Sequence, residues 1–280
     1  MPYAAAKDGS RIHYLDSGGD GPVVVLLHGF GMDAGMFTPQ LEALAPDFRV
    51  IAIDSRGHGR TEEIEVEYTF WDLARDVAAV LDFCDVRDAV VGGVDQGGMT
   101  ALRFALQRPS RVRGVVLVGT EATALRPDIA REFRMLLLDG WALGGRPLTE
   151  ILPWYALKFI GGDPEIQHGQ HVSAGDLDRA RLAAAARCFI HREDLSVMLG
   201  DITVPALLLR GEADSVATDA QMRELAAGLG GSVRYETVSA PTAAHAVTWT
   251  HPELTAGQLR EFLDLTTTSG DALSTSGPGH

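Results

Sequence analysis

The run Gly92-Gly93-Val94-Asp95-Gln96-Gly97-Gly98 leaves the backbone few choices. Ala89 to Val94 reads as an apolar strand and a helix starts near Gly97, so the chain must pass from strand to helix within a residue or two. Glycines on both sides allow a crossing too tight for a Cβ, and such a crossing pushes its middle side chain out at the apex. That side chain is Asp95, a carboxylate at the spacing where a hydroxyl is expected.

The surrounding pattern is one of alternating strands and helices. Arg11 to Asp16 alternates as a strand, Gly18 to Pro22 is a turn, and Val23 to Leu27 is a continuous apolar run of the kind buried in parallel sheets. Asp33 to Leu44 reads as helix and Phe48 to Ile53 as strand. Tyr68 to Phe83 places Trp71, Leu73, Val77, Val80 and Leu81 at helical spacing. After the strand into Asp95 come a helix to about Gln107 and the strand Gly114 to Gly119. From about 125 to 199 the alternation stops in favour of helical segments broken by glycine and proline, which reads as an inserted lid. The sheet resumes at Pro205 to Leu209, followed by a helix near Asp219 to Leu229, the strand Val233 to Val238 and a last helix from Pro252 to about Leu265.

The expected architecture is therefore α/β: a mostly parallel sheet of about eight strands flanked by helices, with a helical lid. Residues 1–124 and 200–265 form the core and 125–199 the lid, while the Thr-, Ser- and Gly-rich stretch 266–280 reads as a disordered tail. A chain of 280 residues, 46% hydrophobic, is long enough to bury such a core. Its formal net charge of -14 argues against nucleic acid or an anionic membrane as partner. Two cysteines far apart, Cys84 and Cys188, suit a reduced, cytoplasmic setting, and no Cys/His spacing suggests a metal. No apolar run approaches the roughly 18 residues of a membrane span, and no cofactor is expected.

Three polar positions complete a chemical constellation in chain order. Asp95 follows one strand, Asp214 follows the apolar strand that opens into Arg210-Gly211-Glu212-Ala213, and His245 lies in a loop before the last helix. Carboxyl ends of strands are where sites in open α/β sheets form. His28-Gly29-Phe30-Gly31 follows the strand Val23 to Leu27, so the N–H groups of Phe30 and Gln96 are the expected pair facing a developing oxyanion. Glu121, just past another strand, is an alternative partner for the histidine.

With these motifs and Asp54-Ser55-Arg56-Gly57-His58-Gly59-Arg60, the sequence resembles the α/β-hydrolase family over its whole length. The resemblance implies triad roles for Asp95, Asp214 and His245 and an oxyanion hole from Phe30 and Gln96. His28 reads as a support of its loop, and Asp54 and Arg56 as a turn network.

An aspartate with an ordinary pKa near 3.9 is anionic without activation. Attack on an acyl carbon would give a reactive anhydride, whereas attack on a saturated carbon gives an ordinary ester. The sequence therefore points to a small hydrophobic substrate and water, with a covalent ester on Asp95 that His245 and water would hydrolyse. By resemblance, an epoxide oxygen calls for a tyrosine donor and a halide for Trp or Asn. The lid offers Trp154 and Tyr155, which favours epoxide hydrolysis over haloalkane dehalogenation. Met135 to Leu138, Ile151, Leu152, Leu157 and Phe159 would supply apolar walls. The flanks Gln96-Gly97-Gly98-Met99 and His28-Gly29-Phe30-Gly31-Met32-Asp33 are similar to serine-type ester and lactone hydrolases. An ester or lactone hydrolase with Asp in the serine's place, and a noncatalytic ligand-binding protein, therefore stand as alternatives. The oligomeric state is not specified by any of these features.

Overall fold

The computed structural model describes residues 2–63, 67–145 and 179–271. Strands β1 (Tyr3–Ala5), β2 (Arg11–Asp16), β3 (Val23–Leu27), β4 (Arg49–Ile53), β5 (Ala89–Val94), β6 (Val112–Val118), β7 (Ala206–Gly211) and β8 (Val233–Val238) form one sheet. Their spatial order is β1-β2-β4-β3-β5-β6-β7-β8. β1 pairs antiparallel with β2, and β2 with β4; every other neighbouring pair is parallel. β1 is the strand that periodicity does not single out, because three residues with two alanines carry almost no alternation.

The apolar strands are continuous because both faces of the sheet are covered. Val24 and Leu26, Val90, Val116 and Val118, and Leu207 and Leu209 point into one core. Val25 and Leu27, Val91, Val115 and Leu117, and Ala206 and Leu208 point into the other, following the two-residue period of a strand. The helices are α1 (Thr38–Leu44), α2 (Phe70–Phe83), α3 (Gln96–Gln107), α4 (Pro127–Phe133), α5 (Arg179–Ile190), α6 (Asp219–Gly228), α7 (Val247–Thr250) and α8 (Pro252–Asp271). Leu44 of α1 and Leu259, Phe262 and Leu263 of α8 line the first core. Ala74, Val77, Val80 and Leu81 of α2, with Ala101, Leu102, Phe104 and Ala105 of α3, line the second.

Local chemistry sets the helix ends. Asp72 accepts from the N–H of Thr69 at 2.8 Å, which secures the first turn of α2. Asp85 then adopts φ 53° at its end, and Val86 N–H reaches back to Leu81 O at 2.9 Å. The Asp33–Leu44 segment is not one α-helix. Asp33 caps a 3-10 turn, Ala34–Phe37, and α1 begins at Thr38 because Pro39 has no N–H to donate and suits the first turn. α8 runs to Asp271, beyond the Leu265 boundary expected from composition. The hydroxyls of Thr266 and Thr267 bond back to the carbonyls of Phe262 and Leu263 and so spend their polarity within the helix. The segment between β6 and β7 carries α4, a π-helical run Arg134–Leu143 and α5. Phe133, Leu137 and Phe189 from these elements join the first core.

The crossing from β5 to α3 is the tightest point of the chain. A Cβ on Gly97 would lie 1.9 Å from the carbonyl oxygen of Leu27 in β3, and one on Gly93 would lie 2.1 Å from the same oxygen. Backbone cannot yield as a flexible side chain does, so Gly97→Ala is expected to destabilise the protein by about 1–3 kcal/mol, the usual cost of overpacking. Gly257 lies inside α8, and a Cβ there would meet nothing within 4 Å. Gly257→Ala is expected to stabilise by about 0.5–1 kcal/mol through the lower backbone entropy of alanine. Chemical denaturation of both variants checks the pair, and equal effects would refute the account.

Candidate active site

Asp95 stands at the apex of that crossing with φ 50° and ψ -114°, outside the regions an L-residue prefers. A strained non-glycine residue of this kind costs on the order of 1–3 kcal/mol and persists only when its surroundings fix it. Here they do. Its N–H donates to Val118 O of β6 at 2.9 Å, its carbonyl accepts from Met99 N–H at 3.1 Å, and the buried Thr120 hydroxyl donates to the same carbonyl. The side chain is thereby held in the interior; Asp95 is only 4% exposed.

The expected partners converge on it. Phe30 N–H donates to Asp95 Oδ2 at 3.3 Å. On the other side, His245 Nε2 lies 3.8 Å from Asp95 Oδ1, while His245 Nδ1 is bonded to Asp214 Oδ2 at 2.9 Å. Asp214 Oδ1 accepts from the N–H groups of Val216 (2.8 Å) and Ala217 (3.0 Å), which fixes the carboxylate plane. The loop carrying His245 is tied to the Asp214 turn by Ala213 N–H to Ala243 O at 2.8 Å. Gly119, at the end of β6 with φ +51°, makes room for the ring: a Cβ there would lie 2.9 Å from His245 Nδ1. Gln96 opens α3 directly after Asp95, so its N–H belongs to the first turn and has no carbonyl within the helix.

Glu121 is not the histidine's partner. The imidazole bonds to Asp214, and Glu121 instead pairs through Oε1 with the buried Arg192 and accepts from Gln221 Nε2 at 2.9 Å through Oε2. Trp154 and Tyr155, with Ile151, Leu152, Leu157 and Phe159, lie outside the described residues. Of the nearer apolar candidates, Leu137 and Leu138 are buried, but Met135 is 61% exposed and does not line the site. The side chains that do line a 170 Å³ cavity beside Asp95 include Leu125, Ile129, Phe133, Phe189 and Val216. Glu121, Thr218 and Gln221 form its polar edge. Among the described residues, no group of three or more His, Cys, Asp or Glu side chains is placed to hold a metal ion.

The loops behind the site rest on buried histidines. His28 Nε2 accepts from Ser55 N–H at 2.9 Å and its Nδ1 meets Gly29 O at 2.8 Å, the loop support expected of it. His58 does the same for Gly31, accepting its N–H at 3.0 Å. Burial, helped by His28, pushes His58 down to about 3, so the ring stays neutral and free to accept. The sequence shows His58 only as part of a motif and gives no sign of this task. Nor does it single out Thr120 or Arg192, whose partners are distant in the chain. Asp54 and Arg56 do organise the turn, though through separate partners. Asp54 accepts from Ala34 N–H (2.7 Å) and Arg60 N–H (2.8 Å), while Arg56 binds Asp76 through two 2.7 Å bonds.

Electrostatics set the protonation of the centre. Burial of His245 pushes its pKa down, but the carboxylates of Asp214 and Asp95 outweigh burial and lift it to about 10. Burial would raise Asp214, yet the His245 charge and the two N–H donors hold it below its ordinary value. The two carboxylates thus favour the protonated form of the imidazole between them. Its contribution to stability is complete below the unfolded value near 6.5 and is lost as pH rises through about 10. NMR titration of the ring is expected to give a lower pKa in Asp95→Asn and a lower one still in Asp214→Asn, whose charge is the larger influence. An unchanged value in both variants would contradict this account. Glu121 is raised by burial, against the pull of Arg192, and the charge of Asp95 adds to the rise.

Comparison with known proteins agrees with the fold. The profile of the alpha/beta hydrolase fold family matches residues 22–174. The chain is 28% identical over 207 residues to 3-oxoadipate enol-lactonase 1 of Acinetobacter baylyi, covering 70% of this chain and 73% of that protein. It is 44% identical over 114 residues to epoxide hydrolase B of Mycobacterium tuberculosis, covering 39% of this chain and 32% of that one. The crystal structure of the enol-lactonase from Burkholderia xenovorans LB400 superposes with a TM-score of 0.77 at 28% identity, over 94% of this chain and 100% of that chain.

Proposed function

This chain belongs to the alpha/beta hydrolase fold family, and from that premise we propose that it hydrolyses a small hydrophobic epoxide through a covalent ester on Asp95. One observation carries the reading: the two oxygens of the Asp95 carboxylate have different surroundings. Oδ2 takes the N–H of Phe30, and Oδ1 faces the imidazole across 3.8 Å. An ester formed through Oδ1 leaves Oδ2 as its carbonyl oxygen, already against the donor that a tetrahedral intermediate needs.

The steps follow. Asp95 Oδ1 bonds to the epoxide carbon, the ring C–O bond breaks, and the freed oxygen becomes an alkoxide that takes up a proton. Esterification cancels the charge of Asp95, one of the two carboxylates that keep His245 protonated. The ring then yields its proton, which balances the one taken by the alkoxide, and becomes a base only once there is an ester to hydrolyse. Neutral His245 accepts a proton from water as the water oxygen bonds to Asp95 Cγ. The N–H groups of Phe30 and Gln96 hold the oxyanion at Oδ2. Collapse breaks the Cγ–Oδ1 bond and returns that proton to the departing diol; the second proton of the water then passes from the new Asp95 carboxyl to His245, which restores the imidazolium and leaves the oxygen from water in the carboxylate.

A second reading, ester or lactone hydrolysis, is favoured by the lactonase relatives. Against it stands the same carboxylate. Acyl attack by Asp95 would form an anhydride, and Phe30 N–H, which an acyl oxyanion needs, is bonded to Asp95 itself. Styrene oxide serves as the probe that separates the two. His245→Gln is expected to lower turnover about 100- to 10,000-fold, the usual worth of a general base, and to accumulate protein heavier by one molecule of epoxide in intact-mass spectra. Single turnover of the unmodified enzyme in 18O water is expected to label Asp95. No adduct and no label, together with a large gain of esterase activity in Asp95→Ser, would establish the second reading instead.

A further inference from the structure

The cavity beside Asp95 contains a second carboxylate that the proposed chemistry does not use. Glu121 lies at its polar edge with a side chain 22% exposed, whereas its partner Arg192 is 1% exposed and sits behind it. Arg192 spends Nη2 on Glu121 and Nε on Thr123 O at 3.0 Å. Its guanidinium lies 4.8 Å over the ring of Phe189, and it is Phe189, not Arg192, that lines the cavity. The other arginine at this cavity, Arg126, is bound through two bonds to Asp128 at the surface. Among the described residues lining the cavity, Arg126 is the one cation and it is held in an exposed pair with Asp128, while Asp95 and Glu121 both oppose an anionic substrate.

Glu121 still has acceptor capacity. A carboxylate offers about four lone-pair sites, and Arg192, Gln221 and the longer contact from Thr123 (3.5 Å) occupy three. Across the cavity, Leu125, Ile129, Phe133 and Phe189 provide apolar contact only. We infer that Glu121 is a specificity-determining residue, selecting neutral substrates that carry a hydroxyl or N–H donor on an apolar body and rejecting carboxylates. The inference deepens the epoxide reading and rests on it for the reacting group alone.

Three matched compounds test it: styrene oxide and its 4-hydroxymethyl and 4-carboxy derivatives, with the three corresponding diols as ligands. The hydroxymethyl epoxide is expected to have a KM about tenfold below the parent, and the carboxylate about tenfold or more above it, the scale of one hydrogen bond to a charged group. Glu121→Gln is expected to bring the three together by improving the carboxylate. Glu121→Asp, which keeps the charge, should continue to reject it. Calorimetric binding of the diols to the unmodified protein needs neither turnover nor a folded variant and is expected to give the same order. If the diols bind in that order while no epoxide forms an adduct on Asp95, the covalent reading fails and the role of Glu121 stands. Preference of the unmodified protein for the carboxylate, or unchanged KM ratios among the three compounds in Glu121→Gln, would overturn the role of Glu121 whatever the fate of the ester.

Discussion

A carbonyl oxygen in β3 sets the geometry on which the rest of the site depends. Leu27 O lies so close to the β5–α3 crossing that residues 93 and 97 have no room for a side chain. Because both are glycine, β5 pairs with β3 up to Gly93 and the helix still begins soon after, at Gln96. Asp95 is left between them in a conformation it would not choose. Its strain is opposed by backbone hydrogen bonds to Val118 and Met99 and by the Thr120 hydroxyl. These partners come from β6, from α3 and from the turn after β6, so the carboxylate has little freedom to turn away. Preorganisation of this kind is what lets a group act without reorganisation at the moment of reaction.

Most of this framework is legible in the sequence, for identifiable reasons. Strands β3 to β7 are apolar runs because both faces are buried, and that signal survives without any knowledge of partners. The glycines around Asp95 announce a close approach, though not that Leu27 supplies the other surface. Asp214 and His245 stand out by their places at the end of a strand and before the last helix. What the sequence does not separate is Asp214 from Glu121. Both follow the carboxyl ends of neighbouring parallel strands, β6 and β7, and it is Asp214, on the turn tied through Ala213 to the histidine loop, that meets the imidazole. Thr120, His58 and Arg192 escape for a related reason. Each acts through a contact with a residue brought near by the sheet or the insertion, and a lone threonine, histidine or arginine has no periodicity to betray it.

Placing a carboxylate at this apex changes the role of every group around it. A serine there is neutral and leaves the imidazole with one anionic partner, whereas here Asp214, with Asp95 as a second carboxylate, lifts it to about 10. An imidazolium cannot take a proton from water. A resting site built this way is therefore poor at direct general-base hydrolysis, and the proposed covalent ester would resolve the difficulty by removing one of the charges that suppress the base. In the proposed mechanism the same carboxylate that attacks carbon would keep the base inactive until attack has occurred. Glu121 adds to the balance from the polar edge of the cavity, where Arg192 neutralises it without reaching the cavity itself. The centre keeps one carboxylate in excess of its cations: Asp95, Asp214 and Glu121 against His245 and Arg192. That excess is the physical reason to expect an electrophile that is neutral at its reacting carbon. Such a molecule brings no charge to be repelled, and the proposed ester would consume the unbalanced one.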